Sequence, residues 1–281
     1  MEFPEQAFRQ RLTAFWHEVQ DEQGLWTIRG FVHIARKVYG LTSDTKVISK
    51  ALELVLMPEL ISIVRGCGFD PVIASEQNEY PDISLVRNAT RYALDIKSAY
   101  RTGRDLTRVS GFTLGAFTGY FRNRESTKNV TFPYGTYADH WVLGIIYTRS
   151  DVGGRLQSWP LAKLEDVPAP IRDIEFTLQP KWKIALDRPG SGNTCNIGAV
   201  QDIDRLREGR GPFAMLGEEG QEIFEDYWSH YLTNDMARRV ELTSPPYRNL
   251  AEYLRYRNRQ DLLQRLEEET SGEAAQTEHN A

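Results

Sequence analysis

The chain is poor in cysteine and lacks long apolar runs, and both shortages narrow its class. Two cysteines, Cys67 and Cys195, can build neither a disulfide framework nor a zinc site, and the five histidines include no HExxH motif. No apolar run approaches the roughly 18 residues that a membrane span needs. The N-terminal MEFPEQAFRQRL lacks the basic-then-apolar order of a signal peptide. We therefore expect a cytoplasmic protein with no membrane partner.

Basic residues are fewer than acidic ones, 34 against 39, so the formal net charge is −5. Five of the glutamates fall in residues 267–281, EEETSGEAAQTEHNA, which contain no Lys or Arg, so the rest of the chain is neutral. That composition predicts a disordered acidic tail over 267–281 behind a single domain over 1–266. A neutral body can still present a basic groove, so charge does not exclude a nucleic-acid partner.

Apolar spacing predicts helices on the faces of a mixed β-sheet, and hence an α/β fold. The second helix begins at Ser43 or Asp44, both good N-caps; Pro58 should kink or break it, and Gly66 or Gly68 should end it. The nearly unbroken apolar run over 139–150 is typical of a central strand covered on both faces. Further helices are predicted over 4–21, 218–232 and 250–266, and further strands over 174–186.

The stretch PDISLVRNATRYALDIK, residues 81–97, predicts two short strands joined by a turn at 88–90. Asp95 and Lys97 are two apart on the second strand and therefore share one of its faces, and Asp82 opens the first strand. Paired carboxylates supply hard oxygen ligands for Mg²⁺, and an adjacent ammonium can stabilise a pentacovalent phosphate. The pattern suits phosphodiester hydrolysis, although an edge-strand ion pair would also explain Asp95 and Lys97.

Glu53 lies near the buried stripe of the second helix, where a carboxylate needs a metal or an ammonium as partner. The alternative is a flanking glutamate on the solvated side of that helix.

The segment GSGNTCNIG, residues 190–198, combines glycines with short hydrogen-bonding side chains. Asparagine pairs well with adenine in the major groove, so this segment is a candidate for base recognition. A surface hairpin turn is the alternative. The polar segment SEQNEYPD leads into Asp82, and its Gln77 and Asn78 could reach a groove from beside the metal site.

Together these segments resemble the EcoRV-type II restriction endonucleases, a branch of the PD-(D/E)xK nuclease superfamily. The resemblance covers most of residues 41–198 and rests on LTSDTKVISKALEL, QNEYPDISL, LDIKSAY, FTLGAFTGYFRN, STKNVTFPYGTYADHWVLGIIYTR and GSGNTCNIG. It implies a restriction-endonuclease-like mixed sheet flanked by helices, in a U-shaped homodimer that holds duplex DNA in a cleft.

The resemblance also implies residue roles. Asp82, Asp95 and Glu53 would be the catalytic acids and the Mg²⁺ ligands, and Lys97 the catalytic ammonium. DNA contacts would come from the recognition loop Gly190, Ser191, Gly192, Asn193, Thr194 and Asn196, from Gln77 and Asn78 at the minor groove, and from Thr45, Lys46 and Lys128 near the phosphates.

The implied function is Mg²⁺-dependent blunt cleavage of GATATC at its central, easily kinked TA step, with a cognate DNA methyltransferase as functional partner. Three residues depart from the family pattern: Glu76, Glu79 and Cys195 stand where the family has glutamine, histidine and threonine. Cys195 lies inside the recognition loop and could alter base choice. Two alternatives remain open, a structure-specific repair nuclease of the same superfamily and a catalytically silent DNA-binding protein.

Overall fold

The computed structural model describes residues 2–151, 157–190 and 195–279; for Trp16, His17 and residues 273–279 it describes the backbone alone. The chain divides into two compact units, one built from residues 1–75, 80–110 and 141–178, the other from 76–79, 111–140 and 179–281. The chain passes between the units five times, so neither is a contiguous stretch of sequence. A single domain over 1–266 therefore stays a prediction.

The described residues form short strands and a set of mostly short helices. The strands are β1 (Gly30–His33), β2 (Lys37–Gly40), β3 (Asp70–Ile73), β4 (Ile83–Arg87), β5 (Thr90–Thr102), β6 (Arg108–Val109), β7 (Thr113–Ala116), β8 (Asp139–Arg149), β9 (Ser158–Pro160), β10 (Ile171–Pro180), β11 (Ala185–Pro189) and β12 (Asn196–Ala199). The α-helices are α1 (Glu5–Val19), α2 (Thr45–Gly66), α3 (Lys181–Ile184), α4 (Ile203–Glu208), α5 (Gly220–His230), α6 (Asn234–Arg239), α7 (Leu250–Tyr256) and α8 (Gln260–His279). Short 3₁₀ helices cover Gly119–Phe121, Tyr134–Thr136, Leu161–Asp166 and Pro212–Glu219.

The first unit is organised around a six-stranded sheet with the order β10-β8-β5-β4-β3, in which β6 also pairs with β5. Helix α1 packs against α2, and α2 packs against β5. Every residue from His140 to Thr148 of β8 is buried, as expected for a central strand covered on both faces. The predicted α/β class, a mixed sheet flanked by helices, is confirmed.

Helix α2 has well-defined ends. The Asp44 carboxylate accepts the Lys46 and Val47 backbone N–H groups at 3.0 and 3.2 Å, which caps the first turn. At the other end Gly68, with φ of +79°, donates its N–H to the Arg65 carbonyl, and the following residue donates to Val64, which is a Schellman ending.

The sequence predicts that Pro58 kinks or breaks this helix, and the break is wrong, because α2 runs unbroken from Thr45 to Gly66. Its buried stripe continues across the proline, and that packing outweighs the hydrogen bond that proline cannot donate. The stripe consists of Ile48, Ala51, Leu52, Leu56, Leu60, Ile63 and Val64.

The second unit contains a three-stranded sheet of the order β11-β12-β7 and the helices that follow it. The helix predicted over 250–266 is two helices, α7 and α8, because Asn258 adopts a left-handed φ of 57° between them. Helix α8 continues to His279, so the described part of residues 267–281 is helical, and a disordered acidic tail stays a prediction. Residues 267–281 lack proline and contain five Glu and three Ala, which are good helix formers.

A further three-stranded sheet, with the order β1-β2-β9, belongs to the first unit and exposes large apolar side chains. Phe31 is 57% exposed, Val32 67%, Ile34 97% and Tyr39 48%. No helix in the described part of the chain combines the length and the apolar character that crossing a membrane requires.

Candidate active site

The β4–β5 hairpin brings the predicted catalytic residues together in the first unit. Ile83 pairs with Leu94 in the antiparallel register, so Asp82, just before Ile83, faces Asp95, just after Leu94. Opposite residues on neighbouring antiparallel strands share a face, and so do residues two apart on one strand. Asp82, Asp95 and Lys97 therefore project from one face, as the sequence predicts for Asp95 and Lys97.

Asp95 is buried and forms an ion pair with Lys97, whose Nζ lies 2.6 Å from Asp95 Oδ2. The Lys97 ammonium also donates to the Ile96 carbonyl at 3.3 Å. Burial by itself lowers the pKa of Lys97, but the carboxylates of Asp95 and Asp82 outweigh burial, and the pKa of Lys97 is raised. Lys97 is therefore held in its charged form.

Asp82 is hydrogen-bonded both to the backbone and to the opposing carboxyl group. Its Oδ2 accepts the Ile96 N–H at 2.5 Å, and it shares a hydrogen bond with Asp95. Burial, followed by the negative charge of Asp95, raises the pKa of Asp82 to about 7, although Lys97 and the Ile96 N–H act in the opposite direction. Two carboxyl groups that share a hydrogen bond need a proton or a cation between them.

Glu53 reaches the same region from α2. Its Oε1 lies 2.7 Å from Lys50 Nζ, and its side chain is 33% exposed. Its charge also contributes to the raised pKa of Lys97. Glu53 thus has the ammonium partner that its position near the buried stripe requires, and the i, i+3 spacing of Lys50 and Glu53 is the sequence signal for this pair.

The donor set fits a hard divalent cation. Asp82 and Asp95 provide carboxylate oxygens on one face, and Mg²⁺ takes carboxylates together with phosphate oxygens and water. Among the described residues, however, no three His, Cys, Asp or Glu side chains gather into a complete ligand set. The structure therefore brings Asp82 and Asp95 together as a pair, and does not bring Glu53 to them as a third ligand.

Two comparisons with known proteins bear on this site. The sequence profile of a family described as restriction endonuclease EcoRV matches residues 22–258. The chain is also 34% identical over 238 residues to the type II restriction enzyme EcoRV of Escherichia coli, an alignment that covers 83% of this chain and 91% of that enzyme.

The chain belongs to the EcoRV restriction endonuclease family. As a member of the EcoRV family it is a type II site-specific deoxyribonuclease that binds DNA. EcoRV-like nucleases are generally divalent-metal dependent, which agrees with the paired carboxylates of Asp82 and Asp95.

The recognition loop expected from the EcoRV family is framed by β11 and β12 of the second unit. Ser191, Gly192, Asn193 and Thr194 lie outside the described residues. On either side of them, the Gly190 N–H donates to the Asn196 carbonyl at 2.9 Å, and a Cβ added to Gly198 would lie only 2.8 Å from the Gly190 Cα. Gly198 therefore has no room for an ordinary side chain, and a Cβ added to Gly190 would make a tight contact of 3.2 Å with the Gly198 Cα.

Hydrogen bonds within the second unit hold the chain in place on both sides of the loop. The Asp187 carbonyl of β11 accepts the Tyr227 hydroxyl at 2.5 Å, and the Asp187 carboxylate accepts the Leu250 N–H at 2.9 Å. On the other side, the Phe117 N–H donates to the Cys195 carbonyl at 2.8 Å. Cys195 and Cys67 are free thiols.

The other DNA contacts expected from the EcoRV family lie on exposed turns or at a helix end. Gln77 and Asn78 are exposed in a turn that Glu76 and Glu79 close, since the Glu76 N–H donates to Glu79 Oε2 at 3.3 Å. Thr45 and the exposed Lys46 form the first turn of α2, and the exposed Lys128 follows a turn closed by Ser126.

Proposed function

We propose that this EcoRV-family endonuclease cuts duplex DNA at GATATC in a Mg²⁺-dependent reaction and leaves blunt ends at the central TA step. The arrangement of Asp82, Asp95 and Lys97 carries the proposal, because it offers two hard oxygen ligands and an ammonium on one face of one hairpin. The target is the one that the family resemblance implies.

Each residue of the site has a role in phosphodiester hydrolysis. Asp82 and Asp95 hold Mg²⁺, and Glu53 is an auxiliary acid. When bound, Mg²⁺ polarises the scissile phosphate and lowers the pKa of a water. Lys97, kept protonated by its two carboxylate neighbours, stabilises the negative charge that grows on the phosphate oxygens during attack.

Base recognition is assigned to the loop between β11 and β12. Asn193 and Thr194 read bases in the major groove, where an asparagine side chain can bond both N6 and N7 of adenine. Gln77 and Asn78 contact the minor groove, and Thr45, Lys46 and Lys128 contact phosphates. The fastening of the framing strands through Asp187 and Phe117 supports this assignment, since a reading loop needs a rigid base.

A palindromic target cut on both strands calls for two identical active sites, and we infer a homodimer. The exposed apolar residues of the β1-β2-β9 sheet, Phe31, Val32, Ile34 and Tyr39, offer a second copy an apolar surface to cover.

An enzyme with this activity also endangers its host genome. We therefore infer a cognate methyltransferase that modifies the same sequence in the same cytoplasm.

Digestion of a plasmid of known sequence, with Mg²⁺ and with the fragment ends mapped, tests the proposal. Blunt ends at the centre of GATATC are the expected result. Discrete ends at another palindrome would overturn the proposed target and direct attention to Cys195, with Cys195→Thr as the first variant. Intact DNA over a wide range of Mg²⁺ concentrations, with binding retained, would overturn the proposed cofactor.

A further inference from the structure

Residues 119–136 of the second unit form a partly exposed segment that hydrogen bonds close on itself. The Gly135 N–H donates to the Arg124 carbonyl at 3.1 Å, which joins the two halves of the segment. Lys128 lies four residues after Arg124, and its N–H donates to Ser126 Oγ at 3.2 Å. The position of Lys128 therefore depends on the backbone that Arg124 holds.

Glu225 of α5 is bound to both halves of the 119–136 segment. Its Oε2 forms an ion pair with Arg124 Nη2, and its Oε1 accepts the Tyr134 hydroxyl at 3.1 Å. The Glu225 side chain is 19% exposed. Burial raises the pKa of Glu225, whereas the charges of Arg124 and of the buried Lys181 act in the opposite direction. The Glu225 carboxylate therefore attracts two cations and fastens the segment to α5.

The two cations Arg124 and Lys128 differ in what they contact. Arg124 is engaged by Glu225 and lies over the rings of Phe121 and Tyr134, at 5.9 and 5.5 Å from their centroids. Lys128 is exposed, and within the described part of the chain its ammonium forms neither a hydrogen bond nor an ion pair. An ammonium in this state is suited to a phosphate of the DNA backbone.

We propose that Glu225 is a positioning residue for DNA binding, which fixes Arg124 and Tyr134 and thereby holds the Lys128 ammonium where it binds a backbone phosphate. This inference rests on the proposed function, in which Lys128 contacts phosphates. It gives an acid a favourable role in binding a polyanion, although its charge alone would weaken that binding.

Glu225→Gln tests the inference because it removes the charge and keeps the shape of the side chain. Arg124 and Lys181 lose the carboxylate that attracts both, so Arg124 should leave its place and the 119–136 segment should loosen. Affinity for a duplex of about 20 base pairs that contains GATATC should fall about three- to ten-fold at about 0.1 M salt. The slope of log affinity against log salt concentration should become shallower by about 0.9 for each chain in the complex.

Lys128→Gln should show the same loss of affinity and the same change of slope, since both variants remove one phosphate contact. The double variant Glu225→Gln with Lys128→Gln should bind like Lys128→Gln alone, because Glu225 acts through Lys128. Fluorescence anisotropy in metal-free buffer, in which a Mg²⁺-dependent enzyme leaves the DNA intact, measures all three variants.

Two further variants control for folding and for charge. Tyr134→Phe removes one hydrogen bond to Glu225 without changing any charge, and it should weaken binding in the same direction even if Glu225→Gln does not fold. Glu222→Gln is the matched control, because it removes the same charge from an exposed position one turn earlier in α5, and it should bind as wild type. Partial unfolding would lower the fraction of protein that binds and leave the salt slope unchanged.

Three results would overturn the inference. They are wild-type affinity and slope for Glu225→Gln, tighter binding by Glu225→Gln, and additive effects of Glu225→Gln and Lys128→Gln. Wild-type binding by Lys128→Gln would remove both the phosphate contact of Lys128 and the role of Glu225.

Plasmid digestion keeps this inference separate from the proposed function. Blunt cleavage of GATATC by wild type, together with wild-type binding by Glu225→Gln, would overturn only the role of Glu225. Absence of cleavage by wild type, with the expected loss of binding in Glu225→Gln, would overturn the proposed reaction and leave the positioning role of Glu225 in place.

Discussion

Asp82 and Asp95 face each other across the β4–β5 hairpin and share a hydrogen bond. The register that places them together follows from a tight turn, since Arg87 pairs with Thr90 and only Asn88 and Ala89 lie between the strands. Twelve residues lie between the two acids in sequence: five of β4, the two turn residues and five of β5. Predictions for the site begin from this pair.

Asp95→Asn should lower the cleavage rate by about 10³-fold or more, because it removes a metal ligand and the ion pair of Lys97. Single-turnover cleavage of a plasmid with one target site measures the effect. Asp70→Asn, which changes an exposed acid on β3 of the same sheet, should cleave as wild type. Cleavage by Asp95→Asn at the wild-type rate with saturating Mg²⁺ would remove Asp95 from the site.

The same substitution should lower the pKa of Asp82 in the metal-free protein. Asp95 is one of the causes that raise this pKa to about 7, so neutralising Asp95 should shift the titration of Asp82 to lower pH. Carboxyl carbon chemical shifts followed by NMR from pH 4 to 9 report it. An unchanged midpoint near 7 would mean that burial alone sets the value.

His140 should make the protein less stable in acid. Its ring is buried and stacks on Tyr134 at 3.9 Å, and burial, followed by Lys181 and Arg124, holds its pKa well below 6.5. The unfolded chain takes up a proton as pH falls below 6.5 and the folded chain does not. The free energy of unfolding therefore falls, by up to about 1.4 kcal/mol per pH unit.

Denaturant unfolding at pH 7.5, 6.5 and 5.5 compares wild type with His140→Phe, which keeps an aromatic ring at this position. The difference in unfolding free energy between the two should change with the slope given above, and above pH 7 it should be constant. His33→Phe, which changes an exposed histidine, should leave the slope as in wild type. A parallel pH dependence for His140→Phe and wild type would contradict the prediction.

Asn193→Ala should weaken discrimination at an adenine of the target by about 1–3 kcal/mol, or roughly 5- to 150-fold. Competition binding with duplexes that differ from GATATC at one base pair measures this discrimination. Asn123→Ala, at an exposed position of the same unit, should leave the preference unchanged. If Asn193→Ala binds and cuts the preferred site like wild type, the loop does not recognise the bases of the target.

Charges placed on the β1-β2-β9 sheet should prevent formation of the homodimer that we infer. Val32→Glu with Ile34→Glu buries two carboxylates if a second copy covers this surface, but leaves the isolated chain intact because both residues are exposed. Sedimentation equilibrium should change from dimer to monomer. Val240→Glu, which charges an exposed apolar residue of the other unit, should remain a dimer. A dimeric double variant would place the interface elsewhere.

The sequence predicts best where one local rule decides the structure. Asp44 caps α2 and the apolar run of β8 is buried, because capping and burial patterns are read over a few residues. Pro58 and Asn258 show the opposite case. Packing of the buried stripe carries α2 past a proline, and a single left-handed residue ends α7 where the apolar spacing continues.

The same distinction between local rules and longer-range packing applies to the residues of the candidate site. Strand alternation is enough to place Asp95 beside Lys97, and these are indeed paired. The placement of Asp82 opposite Asp95 also depends on the length of the turn. The turn has two residues, where the sequence predicts three. For Glu53 the sequence permits a metal, an ammonium or a solvated position, because the i, i+3 spacing to Lys50 allows an ion pair without excluding the other two.

Gly190 and Gly198 approach each other closely at the ends of the proposed recognition loop, which suggests a way to vary the residues between them. The contacts on either side of residues 191–194 join backbone atoms of Gly190, Asn196 and Gly198, so we expect exchange of residues 191–194 to leave these contacts in place. A library that randomises residues 191–194 while both glycines stay fixed would sample new target sequences on an unchanged catalytic scaffold.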